Sequence, residues 1–129
     1  MRNDIIYAEL SYKLTGLLMK TQEKLGRYAK EKQYGDALEI LLTQENIAYK
    51  REPSIPFNVA GEDVRGNRID FIVEDKILIE LKALPYITKR DYYQTSRYLR
   101  ATNLKLGLLV NCHSQYLKPK RILNSSFQD

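Results

Sequence analysis

Three charged side chains stand inside two otherwise apolar, β-rich runs. Asp70 lies in Arg68-Ile69-Asp70-Phe71-Ile72-Val73, and Glu80 and Lys82 lie in Ile77-Leu78-Ile79-Glu80-Leu81-Lys82-Ala83. Side chains alternate between the faces of a strand, so Glu80 and Lys82 point the same way as Leu78. Ile77, Ile79, Leu81 and Ala83 form an apolar row on the opposite face. Asp70 shares a face with Arg68 and Ile72, while Ile69, Phe71 and Val73 take the other. If the two runs pair as a hairpin, Asp70 faces the same side as Glu80 and Lys82. Two carboxylates and a lysine in such a sheet cost several kcal/mol unless something compensates them. A divalent cation with its water shell does so. Hard cations such as Mg²⁺ take one or two carboxylates, backbone oxygen and water, and Asp70, Glu80 and the Leu81 carbonyl make up that set. Lys82 then orients or deprotonates an attacking water and steadies charge on a phosphate. That chemistry is metal-assisted hydrolysis of a phosphodiester. The plain alternative is a cross-strand ion pair of Lys82 with Asp70 or Glu80 on a solvated face.

Two further polar residues sit where they could join this set. Glu31 is three residues from Tyr34 and seven from Leu38, so it shares the apolar side of a helix. Its alternative role is that of an acid favoured by the macrodipole in a first helical turn. Gln94 and Tyr98 stand at i and i+4 on another helix, flanked by Asp91 and Thr95 on the same side. A glutamine facing a metal site holds a metal-bound water or the nucleophile; elsewhere it is simply solvated.

The elements that must position these residues follow from periodicity. A first helix over about 4–25 carries Ile6, Leu10, Leu14, Leu17 and Leu18 and stops at Gly26, a left-handed cap. A second, about 29–46, carries Tyr34, Ala37, Leu38, Leu41 and Leu42 on one side. A strand over 47–52 is broken by Pro53 and Pro56, which places it at an edge or ends it there. Residues 57–60 extend it before a turn around Gly61-Glu62-Asp63. The two charged strands follow, joined by a hairpin turn at Glu74-Asp75-Lys76. Thr88, with Asp91 three residues on, opens a third helix that runs to about Ala101. Leu104 to Val110 reads as a strand buried on both faces, and Lys120 to Leu123 as a short last strand. The predicted order is α-α-β-β-β-α-β-β, a single α/β domain over 1–129 with a mixed sheet.

Composition bounds the rest. The 129 residues suffice for one domain with its own core, and 43% hydrophobic with 29% charged residues is the balance of a globular protein. No apolar run approaches the roughly 20 residues that span a bilayer, and no secretory signal is evident. The single cysteine, Cys112, excludes an internal disulfide and fits a reducing compartment, so the expected location is cytoplasmic. Net charge is +5, unevenly spread. Residues 1–81 hold 12 Lys/Arg against 14 Asp/Glu, and residues 82–129 hold 9 against 2. A basic C-terminal half beside inward carboxylates suits a polyanion brought to a metal. Arg97, Arg100, Lys89 and Arg90 on the third helix, with Lys118, Lys120 and Arg121, are candidate phosphate contacts. Tyr86, Tyr92 and Tyr93 near the same region could stack on unpaired bases. Cys112 and His113 lack partners at metal-ligand spacing, and no glycine-rich phosphate loop supports ATP use.

Taken together, Asp70, Glu80-Leu81-Lys82 and Gln94-Thr95-Ser96-Arg97-Tyr98 resemble the PD-(D/E)XK nuclease superfamily, with the Q-x-x-x-Y motif of its RecB-like branch. Within it the chain is most similar to the small GxxExxY family. The likeness includes Glu9-Leu10-Ser11-Tyr12-Lys13, Leu25-Gly26, Glu31-x-x-Tyr34, Asp70 to Val73, Ile79 to Ala83, Tyr98 to Thr102 and Leu106 to Asn111. The glycine that names the family is Tyr28 here. The resemblance implies a restriction-endonuclease-like core, a mixed central sheet flanked by helices, with Glu31, Asp70, Glu80, Lys82 and Gln94 converging at one end. By that analogy Asp70, Glu80 and the Leu81 carbonyl bind Mg²⁺ or Mn²⁺, Glu31 supports that metal or a second one, Gln94 aligns water, and Tyr98 contacts a phosphate or packs. The implied activity is metal-dependent hydrolysis of nucleic acid, DNA before RNA, with a separate protein partner for targeting left open. Two alternatives stand beside it: a non-catalytic nucleic-acid-binding or assembly module that keeps the fold, and a structure-selective endonuclease acting as a homodimer.

Overall fold

Heptad-like spacing of leucines builds the first layer. The structure, a computed structural model, describes residues 5–55 and 57–129; Pro56 and the expected helical start at residue 4 lie outside the described residues. Helix α1 (Ala8–Leu25) turns Leu14, Leu18 and Thr21 inward, and α2 (Glu31–Gln44) turns Tyr34, Leu38 and Leu42 inward. Each such leucine, fully buried, contributes about 1.5–3 kcal/mol. Gly26 ends α1 at φ +80°, ψ −175°. That region is open essentially to glycine alone, and it departs from the left-handed cap expected at this position.

The five-stranded sheet has the order β1-β4-β5-β6-β7, built from β1 (Tyr49–Arg51), β4 (Phe71–Val73), β5 (Ile77–Lys82), β6 (Leu106–Asn111) and β7 (Lys120–Leu123). All neighbours are antiparallel except β5 and β6, which run parallel with α3 (Lys89–Thr102) between them in the chain. The sheet is therefore mixed, as expected, and the proline-limited β1 lies at its edge. The helices α1 and α2 cover one face, over Phe71, Val73, Ile77, Ile79, Leu81, Leu106, Leu108 and Val110. Helix α3 covers the other, where Tyr98 and Leu99 pack with Leu78, Leu109 and Ile122. Every residue of β6 is buried, because it is interior to the sheet and covered on both sides.

Two further expectations are corrected. Residues 57–60 do not extend the first strand; β2 (Phe57–Val59) pairs with β3 (Glu62–Val64) as a separate hairpin, so Glu62 and Asp63 are strand rather than turn. The second correction bears on the site. The strand expected over 68–73 begins only at Phe71, and Arg68 forms no more than an isolated bridge with Ser54. The chain bends at Asp70, so Ile69 packs under α3 while Phe71 and Val73 pack under α1 and α2. Strict alternation fails there because Asp70 is not in a strand. Among the described residues, no helix is long and apolar enough to cross a membrane.

Candidate functional site

The bend sets Asp70 at the end of the sheet, between the two helical layers. Its backbone N–H donates to Glu80 Oε2 at 2.8 Å, and its own Oδ2 accepts the Leu81 N–H at 2.6 Å. This reciprocal pair replaces the ladder bonds that a continuous strand would have made. The N–H and C=O of a strand residue leave by the same side, so the Leu81 carbonyl also faces the Asp70 flank. The next carbonyl, of Lys82, turns the other way and accepts from Cys112 N–H at 2.8 Å.

Glu80 points toward α3, as alternation from Leu78 requires, and is only 3% exposed. This excludes a solvated face. Lys82 follows on the same side, and its Nζ lies 3.5 Å from Gln94 Oε1 and 3.8 Å from Asp91 Oδ1. The cross-strand pair of Lys82 with Asp70 or Glu80 is therefore not formed; the partners come from α3. Asp91 also closes the helix start, accepting from the Thr88 N–H at 2.9 Å and the Thr88 hydroxyl at 3.0 Å. Helix α3 approaches this closely because Gly107 lies beneath it. A Cβ there would stand 3.1 Å from Thr95 Cγ2 and 3.3 Å from a Leu99 methyl.

Glu31 reaches the same end from the other layer. It is the first residue of α2 and exposed, so it lies beyond the core face that Tyr34 and Leu38 share. It lines a pocket of about 330 Å³ with Gly35, Arg51, Glu52, Asp70 and Leu81. The loop before it is fixed by Tyr34, whose hydroxyl donates to the Gly26 carbonyl and accepts from the Ala29 N–H at 3.1 Å. His113 adds a ring contact of 2.8 Å to the Ala29 carbonyl, and Arg27 Nε donates to the His113 carbonyl.

Burial dominates the electrostatics. Desolvation, then the Asp70 charge, pushes the Glu80 carboxyl up to about 8. Desolvation pushes Asp70 up to about 6, partly offset by the Leu81 N–H bond. Glu31 is also raised by burial, against the pull of Lys82. The second oxygen of Asp70 and of Glu80 has no hydrogen-bond donor among the described residues. Lys82 thus acts on Glu31, Asp70 and Glu80 and lies beside Asp91, with Glu80 the buried member of the group, while Lys32 and Arg51 line the pocket that Glu31 and Asp70 share. Among the described residues no three His, Cys, Asp or Glu side chains converge closely enough to enclose a metal alone. All-oxygen donors, few carboxylates and a backbone carbonyl fit Mg²⁺ or Mn²⁺ completed by water, and do not fit zinc.

The sequence placed Asp91 at the start of the helix and on the Gln94 side, but not its approach to Lys82. Its position in the first turn, on the Gln94 side, was the available signal. Asn111 was also missed: its Oδ1 accepts from the Leu84 and His113 N–H groups, and its Nδ2 donates to the Leu84 carbonyl, bracing the chain just after Lys82. Tyr98 is 4% exposed and packs between Leu78 and Phe57 rather than lining the surface. Lys89, Arg90, Arg97 and Arg100 are exposed on α3. Arg121 is turned to the far layer, donating to Ser11 Oγ and the Ile6 carbonyl, and so stands apart from that surface. The Cys112 thiol is buried and pushed up to about 12, which leaves it inert.

The chain matches the family model of the PD-(D/E)XK nuclease superfamily over residues 8–122. It belongs to that superfamily. The match runs from the first residue of α1 into β7, and the sheet with helices on both faces is the architecture expected of a PD-(D/E)XK protein. Among solved structures, the crystal structure of SSO0001 is similar at 23% sequence identity and a TM-score of 0.48, with 86% of this chain and 66% of that chain covered. The PD-(D/E)XK chain thus spans less than two thirds of the length of that structure. No curated protein matches it.

Proposed function

We propose that this PD-(D/E)XK chain is a metal-dependent nuclease of the GxxExxY type that hydrolyses phosphodiester bonds, with DNA as the first substrate to test. One observation carries the reading: Asp70 and Glu80 are locked together at a sheet end by reciprocal bonds, and burial raises both carboxyls despite the nearby Lys82. A structural ion pair would have been balanced by a protein cation; here a proton held on Glu80 takes that place, and a dication would displace it. Asp70, Glu80 and the Leu81 carbonyl would hold Mg²⁺ or Mn²⁺, with Glu31 on the open flank. The metal supplies Lewis acidity and a more acidic bound water.

The remaining roles belong to the protein. Lys82, held by Gln94 and Asp91, aims its ammonium at the phosphate and steadies the charge that builds there. Gln94 fixes Lys82 and offers its amide to the attacking water. Tyr98, one helical turn after Gln94, packs beneath the site, where the Glu80 charge raises its hydroxyl pKa after burial itself. The Q-x-x-x-Y pair therefore divides into a polar and a packing member.

Calorimetric titration of Mn²⁺ and Mg²⁺, with Asp70→Asn as control, tests the metal. Cleavage of DNA and RNA by the parent, Glu80→Ala and Lys82→Ala chains tests the chemistry. Binding lost in Asp70→Asn, with cleavage lost in the other two and folding retained, is the expected result. Nucleic-acid binding that survives all three changes, with no cleavage by the parent, would replace the nuclease by a binding module.

A further inference from the structure

Beside Gln94, on the outward side of α3, lies an open cleft of about 600 Å³ lined by Arg90, Tyr93, Gln94 and Arg97. It adjoins the site through Gln94, which lines it and whose side chain also meets Lys82. Two features set this cleft apart from an ordinary solvated helix face. Arg97 is held in place: its guanidinium lies 4.9 Å from the Phe57 ring centroid, and Nη2 donates to Asn67 Oδ1 at 3.2 Å. A guanidinium carries five N–H donors, so donors remain for a phosphate. Tyr93 is 63% exposed yet braced. The Tyr92 ring stands edge-to-face against it at 5.7 Å and 80°, and Tyr92 is in turn approached by Lys120 Nζ at 5.7 Å.

An aromatic ring held in the open between two arginines suits one kind of ligand. In a duplex the base faces are covered by stacking, and only edges and phosphates are presented. An exposed tyrosine ring gains little there. An unpaired strand offers base faces for stacking and phosphates for the flanking cations, the pattern of single-strand binding grooves. Resting on the nuclease reading of the adjacent site, we infer that the Arg90–Tyr93–Arg97 cleft is the entry subsite for an unpaired nucleic-acid strand. Tyr93 stacks on a base there and selects single-stranded over duplex substrate. Arg90 and Arg97 neutralise the phosphates on either side and direct the strand toward Gln94 and Lys82.

Fluorescence anisotropy in EDTA tests this without cleavage. The probes are labelled oligothymidylate of about 12 nucleotides, within the range one binding groove occupies, and a blunt hairpin of mixed sequence. The parent is expected to prefer the unpaired probe. Tyr93→Ala should weaken that probe by about 5- to 150-fold, the worth of one stacked base, and remove the preference, while Tyr93→Phe restores it. Arg90→Ala and Arg97→Ala should weaken both probes and flatten the salt dependence. Unchanged affinity of Tyr93→Ala for oligothymidylate, or equal or tighter binding of hairpin by the parent, would overturn the subsite. So would polyglutamate competing as well as oligothymidylate, which would mark the face as one for acidic proteins. Stacking through Tyr93 with no cleavage in Mn²⁺ would retain the subsite and remove the nuclease; cleavage confined to duplexes would do the reverse.

Discussion

Helix α2 connects two clusters of ionisable groups built on opposite terms. Toward its middle, Arg51 Nη1 meets Asp36 Oδ1 at 2.7 Å and Glu39 Oε1 at 2.8 Å, over the Phe71 ring and across the missing side chain of Gly35. Hydrogen bonds from Arg51 hold both carboxyls below the usual range. At its first residue, Glu31 faces Asp70, Glu80 and Lys82, and there burial holds the carboxyls above it. One cluster is satisfied by the protein itself and half open to water. In the other, Glu80 is buried and holds a proton in place of a bonded protein cation. The first serves stability, and the second stores a deficit that a bound cation would relieve. Carboxylates are therefore not informative by number; what distinguishes them is whether the chain supplies their counter-charge.

The largest break in this comparison comes from neutralising Glu80. Glu80→Gln is expected to cut cleavage by on the order of 10³ or more, the usual worth of a group acting in the chemical step. The same change should stabilise the metal-free protein at pH 8 by on the order of a few kcal/mol, because it removes a buried charge. Thermal melts beside activity assays would show it; a loss of both stability and activity would make Glu80 an ordinary structural acid.

Next in size is the response to pH, which has opposite signs in the two clusters. Between about 4.5 and about 8 the folded state keeps a proton on Glu80 that the unfolded chain has released. Stability of the metal-free protein therefore falls as pH rises through that window. Asp36 and Glu39 are depressed, so their contribution is present above the unfolded carboxyl range and is lost as pH falls through their folded values. Chemical denaturation across pH should give a maximum on the mildly acidic side. Glu80→Gln should flatten the alkaline limb alone, and Arg51→Met the acidic limb alone.

A smaller effect sharpens the same contrast. Saturating Mn²⁺ should raise the melting temperature more at pH 8 than at pH 5.5, since protons compete for the ligands, and Asp70→Asn should abolish the rise. Arg51→Met should lower the melting temperature by a few degrees and leave the Mn²⁺ increment intact. Smallest of all is Gly35→Ala. Its Cβ would stand 2.7 Å from Arg51 Nη2, which must swing aside, while the alanine improves helix propensity. The net change in stability should be within about 1 kcal/mol, with metal binding unaffected.

Local pattern carried much of this molecule. Leucine spacing marked α1 and α2, Thr88 and Asp91 marked the start of α3, and the apolar run ending in Glu80-Leu81-Lys82 marked the central strand, because each depends on residues near in sequence. Asp70, Glu80 and Lys82 could be singled out for the same reason: charges in apolar strands are conspicuous without any knowledge of their neighbours.

Tertiary structure decided which of them meet. At the bend that frees Asp70 from its strand, the Asp70 carbonyl accepts from the Glu52 N–H and the Asp70 N–H donates to the Glu80 carboxyl. The partnership of Lys82 with Gln94 and Asp91 required α3 to cross over Gly107. The burial of Tyr98 beneath the site, and the exposure of Tyr93 beside it, depend on which side of α3 the sheet covers. Propensity and periodicity are properties of a segment, and so the sequence determined the elements and the charged residues within them. Desolvation and counter-charge are properties of contacts between distant segments, and only the folded chain could make two ordinary carboxylates into an incomplete pair.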